Sequence, residues 1–212
     1  MGFSSEKVTG IILAGGQSRR LGRDKAVEML EGVRIIDRVL QAMSEVCDSS
    51  IVVGDEPGRE KELGLPSRIL FKPDSFGDCG SLGGLYTGLS AAKTKWSFVV
   101  ACDMPLLCVD LIERMKDYLD DKTLDAVVPL FNSNLQPTHA FYSKACLPFI
   151  EERLRIRRLR MDGYFENIKL EIIGEDLINR FAGGANSFLN VNTEADLSIA
   201  RNIILGDTIT DG

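Results

Sequence analysis

Gly15 and Gly16, followed by Arg19, Arg20, Arg23 and Lys25, combine close backbone amides with cations in the segment GGQSRRLGRDKA. Glycine has no Cβ, so its N–H group approaches an oxyanion closely, and several in succession form an anion-binding nest. Four cations in seven residues invert the local charge of a chain whose formal net charge is −6. That inversion suits a polyanionic ligand. It is not a Walker loop: five residues separate Gly16 from Gly22, and Arg23-Asp24-Lys25 follows. The dinucleotide fingerprint GxGxxG is absent as well. A second glycine-rich segment, KPDSFGDCGSLGG from Lys72 to Gly84, carries Asp74 and Asp78 into a helical pattern. A helix start preceded by glycines suits an anion or the sugar of a nucleotide. In Cys102-Asp103-Met104-Pro105 a carboxylate ends a buried apolar run. Asp103 can cap the following helix, or hold Mg²⁺ against ligand phosphates, since Mg²⁺ takes one or two carboxylates plus phosphate oxygens.

These residues need a scaffold, and the apolar runs supply one. Val8 to Ala14, Ser50 to Gly54, Ser97 to Cys102 and Asp125 to Pro129 read as buried strands, with Arg68 to Phe71 and His139 to Tyr142 as further ones. Ile35 to Val46 carries a helical stripe of apolar residues. Gly83 to Ala92, Val109 to Leu119, Lys144 to Leu154 and Glu194 to Ile204 read as the other helices. Asn132-Ser133-Asn134 reads as a turn. Short β-branched runs alternating with amphipathic helices predict an α/β domain with a mostly parallel sheet. Ligands of such sheets sit at the carboxyl ends of the strands, where the three segments fall. The expected organisation is one domain over residues 1–205 and a polar tail over 206–212.

Composition removes several classes. With 212 residues and 44% hydrophobic content, a real core is available without disulfide or metal staples. An acidic chain without a basic stripe is not expected to bind nucleic acid. The five cysteines include no CxxC pair, which fits free thiols in a reducing cytoplasm rather than a disulfide framework or zinc ribbon. No segment has the length or apolarity of a signal peptide or membrane span, so no membrane partner is expected. Glu151 to Gly163 places five arginines between Arg153 and Arg160. On a helix such a run is either a solvated face paired with Glu151 and Glu152, or a contact for an anionic ligand. The single histidine, His139, has no companions for a zinc site and reads as structural.

In order along the chain, these motifs resemble those of the molybdenum cofactor guanylyltransferase family of nucleotidyltransferases. Leu13-Ala14-Gly15-Gly16-x-Ser18-x-Arg20-x-Gly22-x-Asp24-Lys25-Ala26 is similar to the family's LAGGxSxRMGxDKA, with Leu21 in place of Met. Pro73-Asp74 and Gly80-x-Leu82-Gly83-Gly84-Leu85 resemble PD…GPLGGL, with Ser81 in place of Pro. Asp103-Met104-Pro105-x-Leu107 resembles DMPxL, and Gln136-Pro137 with His139-Ala140 resembles QPLHA. Phe188 to Thr193, FLNVNT, resembles FxNxNT.

The resemblance implies a single three-layer, Rossmann-like domain and transfer of GMP from Mg²⁺-bound GTP to the terminal phosphate of molybdenum-bearing molybdopterin, with release of pyrophosphate. It implies nucleotide contacts from Leu13, Ala14, Gly15, Gly16, Lys25, Asp74 and Asp103, with Asp103 also the Mg²⁺ ligand. Arg20, Lys25 and Asp103 would be catalytic. The acceptor would meet Gln136, Pro137, Arg157, Arg158, Asn190 and Asn192, although Asn192 can also be read as a helix cap. Molybdoenzyme apo-proteins and cofactor-delivery proteins are the further implied partners. Relatives place an Asn after the second strand against the nucleotide; Gly54-Asp55 stands there. The rival readings are cytidylyl transfer to molybdopterin, transfer to another acceptor such as a sugar 1-phosphate, and a cofactor-delivery binding protein. Cytidylyl-type relatives read LAAG, so Gly15 favours guanine.

Overall fold

The computed structural model describes residues 4–15 and 24–206. Its strands are β1 (Val8–Leu13), β2 (Met29–Leu30), β3 (Val33–Arg34), β4 (Ser49–Gly54), β5 (Leu70–Pro73), β6 (Trp96–Ala101), β7 (Ala126–Phe131), β8 (Asn134–Leu135), β9 (His139–Ser143) and β10 (Leu170–Ile173). The α-helices are α1 (Ile35–Val46), α2 (Arg59–Glu62), α3 (Gly80–Ala91), α4 (Val109–Lys116), α5 (Leu147–Arg155), α6 (Glu175–Ile178) and α7 (Glu194–Leu205).

The main sheet runs β10-β7-β9-β6-β1-β4-β5, with β8 paired to β7. β1 lies between β4 and β6, parallel to both. The expected mostly parallel α/β sheet is therefore present, and β9 is the antiparallel insertion between β6 and β7. A central parallel strand has both faces buried, and β1 is buried along its whole length. Period-2 alternation divides it. Val8 and Ile12 join α1 and α4 in one core, while Ile11 and Leu13 join α3 and α5 in the other. Helices thus cover both faces, giving three layers.

Several boundaries differ from the sequence reading. The helix expected at Gly83 starts at Gly80, so the glycine-rich stretch forms its first turns. Gly88 lets that helix lie close on β1, because a Cβ there would stand 2.5 Å from Ile11 Cγ2. The helix expected from Lys144 opens as a short 3₁₀ turn and becomes α-helical at Leu147. The β2–β3 hairpin, β8, β10 and the four-residue helices α2 and α6 were not expected; these are short elements with too few residues to show a period. Gly206, in the left-handed region at φ 73°, ends α7. The rest of the expected tail lies outside the described residues.

Candidate nucleotide site

The loops after β1, β4, β5 and β6 open on one cavity of about 1130 Å³ at the carboxyl edge of the sheet. Leu13, Ala14, Gly15, Lys25, Asp74 and Asp103 all line it. Gly16 and Arg20, with Arg19 and Arg23, fall outside the described residues.

Ala14 continues the β1 register, donating its N–H to the Val53 carbonyl at 2.7 Å, and Leu13 O accepts from the N–H of Cys102 at 3.0 Å. The end of β1 is thereby pinned on both sides at the cavity. At Gly15 the neighbour is Asp55: a Cβ on Gly15 would lie 2.4 Å from Asp55 Oδ1. Gly54, one residue earlier, is closed in by the Phe71 ring and by Arg59 Cγ, 2.8 and 3.1 Å from the position a Cβ would take. A side chain at 54 would have to displace the Phe71 ring and the Arg59 stem.

Asp74 is held by its own loop and by α3. Its Oδ1 accepts from the Phe76 N–H at 3.0 Å and from the Thr87 hydroxyl at 2.9 Å. Gly83 permits this approach, since a Cβ there would come 2.7 Å from Asp74 Oδ2. The rim beside it is conformationally costly: Asp78 sits at φ 62°, a left-handed value that a non-glycine residue adopts at some expense.

Asp103 does not cap a helix. α4 begins six residues later with Cys108 at its N-cap position, and Asp103 Oδ1 is buried with no hydrogen-bond partner among the described residues. Burial lifts its carboxyl above the ordinary value, opposed by the nearby Lys25 cation, whose Nζ stands 3.9 Å from Asp103 Oδ2. A buried carboxylate oxygen without a partner among the described residues, at the edge of a cavity large enough for a nucleotide, suits a cation with phosphate co-ligands. One carboxylate completed by phosphate oxygens is a donor set that suits Mg²⁺. Cys102, at the cavity floor, is pushed up to about 12 by burial and then by Asp103. Its thiol stays protonated and offers no nucleophile.

The carboxyl-terminal segment reaches the same place by a strap. Val191 N–H donates to the Asp103 carbonyl at 2.8 Å, and the Lys25 ammonium donates to Asn192 Oδ1. Thr193, not Asn192, caps α7: its hydroxyl accepts from the Asp196 N–H while the Asp196 carboxylate accepts from the Thr193 N–H, a reciprocal capping box. Asn192 is left to face Lys25.

The strap is anchored by His139. Its Nε2 lies 2.7 Å from Ser187 Oγ, which also accepts the Cys108 N–H at 2.9 Å, and its ring packs against Phe98 and Phe188. Burial depresses the imidazole to about 4. The unfolded chain binds a proton below about 6.5 and the folded one does not until about 4, so stability present above pH 6.5 is lost progressively as the pH falls to 4. The loss is expected to reach the order of 3 kcal/mol. Denaturation midpoints of the parent and His139→Gln between pH 7 and pH 4 check this, and equal slopes in the two proteins would refute it.

The remaining expected acceptor residues are not lining residues of the cavity. Gln136 and Pro137 lie in the connection from β8 to β9, where Gln136 Nε2 donates to the Asn134 carbonyl at 3.1 Å and the Pro137 carbonyl accepts from the Tyr142 hydroxyl at 2.8 Å. Thr138 O accepts from the Ala101 N–H, so this connection flanks the end of β6 on the side away from β1. Asn190 Nδ2 donates to the Phe188 carbonyl. The arginine run is not one helical face: α5 stops at Arg155, Arg157 turns at φ 52°, and Arg160 pairs with Asp162. Arg157 and Arg158 are exposed.

A mostly parallel sheet with glycine-bearing loops, a paired lysine and a buried carboxylate oxygen at adjacent strand ends makes this edge the ligand site of an α/β protein. Residues 10–162 match the MobA-like NTP transferase domain. The probable molybdenum cofactor guanylyltransferase of Pelotomaculum thermopropionicum is 35% identical over 195 residues, 92% of each chain. The molybdenum cofactor guanylyltransferase of Desulfosudis oleivorans is 34% identical over 206 residues, 97% of this chain and 100% of its own. The crystal structure of molybdopterin-guanine dinucleotide biosynthesis protein A from Archaeoglobus fulgidus shares the fold, with a TM-score of 0.82 over 94% of this chain and 100% of that one at 23% identity. The chain belongs to the MobA-like NTP transferase family, among the molybdenum cofactor guanylyltransferases.

Arg59 was missed in the sequence reading. It lines the cavity, yet in GREKE it looks like one charge of a solvated helix face, and nothing in that window marks it as inward-facing.

Proposed function

We propose that this protein transfers GMP from GTP to the terminal phosphate of molybdenum-bearing molybdopterin, forming the guanine dinucleotide and releasing pyrophosphate. The observation that carries this reading is the pair Lys25 and Asp103, held 3.9 Å apart at the cavity edge with one carboxylate oxygen unpartnered. The nucleotide base and ribose lie over Leu13, Ala14, Gly15 and Asp74, and the phosphates reach toward Lys25 and Asp103. Asp103 would hold Mg²⁺, which when bound neutralises phosphate charge and orients the α-phosphorus.

The acceptor is a phosphate monoester with a second pKa of about 6, so it is already largely ionised near neutrality. Its oxygen attacks the α-phosphorus in line while pyrophosphate departs. No general base or enzyme-bound intermediate is required, in keeping with a histidine buried behind the site and a protonated Cys102. The protein's task is positioning and charge neutralisation. Lys25 donates to phosphate oxygens in exchange for Asn192, and Arg20 stabilises the transition-state charge through its planar fork. On the family pattern, Gln136, Pro137 and Asn190 would meet the acceptor, with Arg157 and Arg158 offering charge to its phosphate.

We assign the enzyme to the cytoplasm, where five free thiols persist. No helix among the described residues is long and apolar enough to cross a membrane. The test is turnover with Mg²⁺ and molybdopterin against sugar 1-phosphates, using GTP or CTP, with pyrophosphate release as the readout. Pyrophosphate that appears with GTP and molybdopterin together supports the assignment. Faster release with CTP, or with a sugar phosphate, overturns it.

Gly15→Ala brings its Cβ to 2.4 Å from Asp55 Oδ1 and forces that carboxylate to rotate. The expected result is a several-fold higher KM for GTP without gain of CTP activity, because a base edge that loses its polar partner is penalised more than one that loses contact. kcat/KM for both nucleotides in mutant and parent measures this. An unchanged GTP:CTP ratio removes Gly15 from base choice.

A further inference from the structure

We infer that Arg59, on the loop and short helix after β4, is a positioning residue that acts on the phosphates through Asp24 and Lys25. The inference rests on Lys25 serving the nucleotide phosphates, as proposed above. One arm of the guanidinium, Nη2, pairs with Asp24 Oδ2 at 2.5 Å, and the other, Nη1, pairs with Glu62 Oε2 at 2.8 Å. The side chain is only 18% exposed. Its stem lies over Gly54 and alongside Phe71, in space that any side chain at 54 would take. The fork is therefore fixed at both ends.

Asp24 carries the effect onward. Its other oxygen, Oδ1, accepts the Ala26 N–H at 3.1 Å and caps the 3₁₀ turn Lys25–Val27. The Glu28 N–H closes that turn on the Lys25 carbonyl at 3.2 Å. A three-residue turn is too short to be held by its own backbone bonds alone. Lys25 points from this turn toward Asn192 and Asp103. Asp24 is also an anion beside a lysine that must meet phosphate. With Arg59 paired to it, its charge is satisfied; with Arg59 gone, the carboxylate is freed to compete for the ammonium. Both effects withdraw Lys25 from the phosphates, and neither requires Arg59 to touch the nucleotide.

A double-mutant cycle on GMP transfer separates this from direct contact. Arg59→Gln is expected to lower kcat/KM by about 10- to 100-fold, the scale of a small misplacement of a reacting group, with a melting temperature close to the parent's. In a Lys25→Ala background the same change should cost less than about threefold, because the group it positions is already absent. Arg59→Lys should restore only part of the rate, since an ammonium cannot bridge Asp24 and Glu62 as a fork does. If Arg59→Gln folds poorly, Asp24→Ala takes its place; it removes both the partner of Arg59 and the oxygen that caps the turn, and should show a loss of the same order and the same lack of further loss with Lys25→Ala. Equal fold-losses of Arg59→Gln in both backgrounds would make Arg59 a direct phosphate ligand, and no loss would make it structural. Either overturns the inference while leaving the role of Lys25 intact. A silent Lys25→Ala would instead remove the reading on which it rests.

Discussion

Asp103→Asn is expected to reduce guanylyl transfer by at least about a thousandfold while the protein keeps its fold. The carboxamide has the same shape, so the contacts of β6 and the bond from the Val191 N–H to the Asp103 carbonyl are unaffected. What changes is charge. Oδ1 has no partner among the described residues, so nothing in the described protein already uses the oxygen that a cation would take. Removing the carboxylate's charge would take away the Mg²⁺ anchor proposed for the triphosphate, and loss of such electrophilic stabilisation costs several kcal/mol in the transition state. The neutral amide also relieves a desolvated anion, because burial already disfavours the charged form of Asp103. Thermal stability should therefore hold or rise slightly while activity falls. Single-turnover rates across a Mg²⁺ titration, together with a melting curve, decide the matter. Parent-like turnover at low Mg²⁺ would show that the carboxylate does not hold the metal.

Lys25→Ala is expected to weaken GTP binding and slow the chemical step together, by about 2–4 kcal/mol of transition-state stabilisation. The ammonium is mostly buried, with 16% of its side chain exposed, so little solvent screens what it offers to a phosphate. In the free protein it is shared between Asn192 and Asp103, and the substrate must compete for it. Loss of Lys25 also removes the cation that faces Asp103 among the described residues, so part of the effect belongs to the pair and not to either residue alone. Steady-state kcat and KM for GTP provide the check. If both stay within a factor of a few, Lys25 is a structural cation bridging two loops.

Much of the fold could be read from short windows. α1 runs over the residues its apolar stripe marks, Ile35–Val46, because a period near 3.6 over twelve residues leaves little freedom. β1, β4 and β6 are apolar runs buried as expected of central parallel strands. Strand direction was not legible: HAFYS carries no sign that β9 runs against its neighbours, since side-chain alternation is the same in both senses. Leu170–Ile173 escaped notice because an edge strand with Glu171 and an exposed Ile172 has no clean pattern.

At the site, Gly15, Lys25, Asp74 and Asp103 stood out by type and position, the family resemblance added Leu13 and Ala14 and the nucleotide roles, and all six residues line one cavity. The sheet delivers every parallel strand end to the same edge, so loops far apart in sequence meet there. Only the tertiary structure decided which groups are committed to one another. Asn192 meets Lys25 across 167 residues of chain. Arg59 spends its fork on Asp24 and Glu62, while Asp103 keeps an oxygen without a described partner. Helix and strand periods are set by neighbours a few residues apart, whereas partners of this kind are fixed by the closure of long loops and by the packing that excludes water around them.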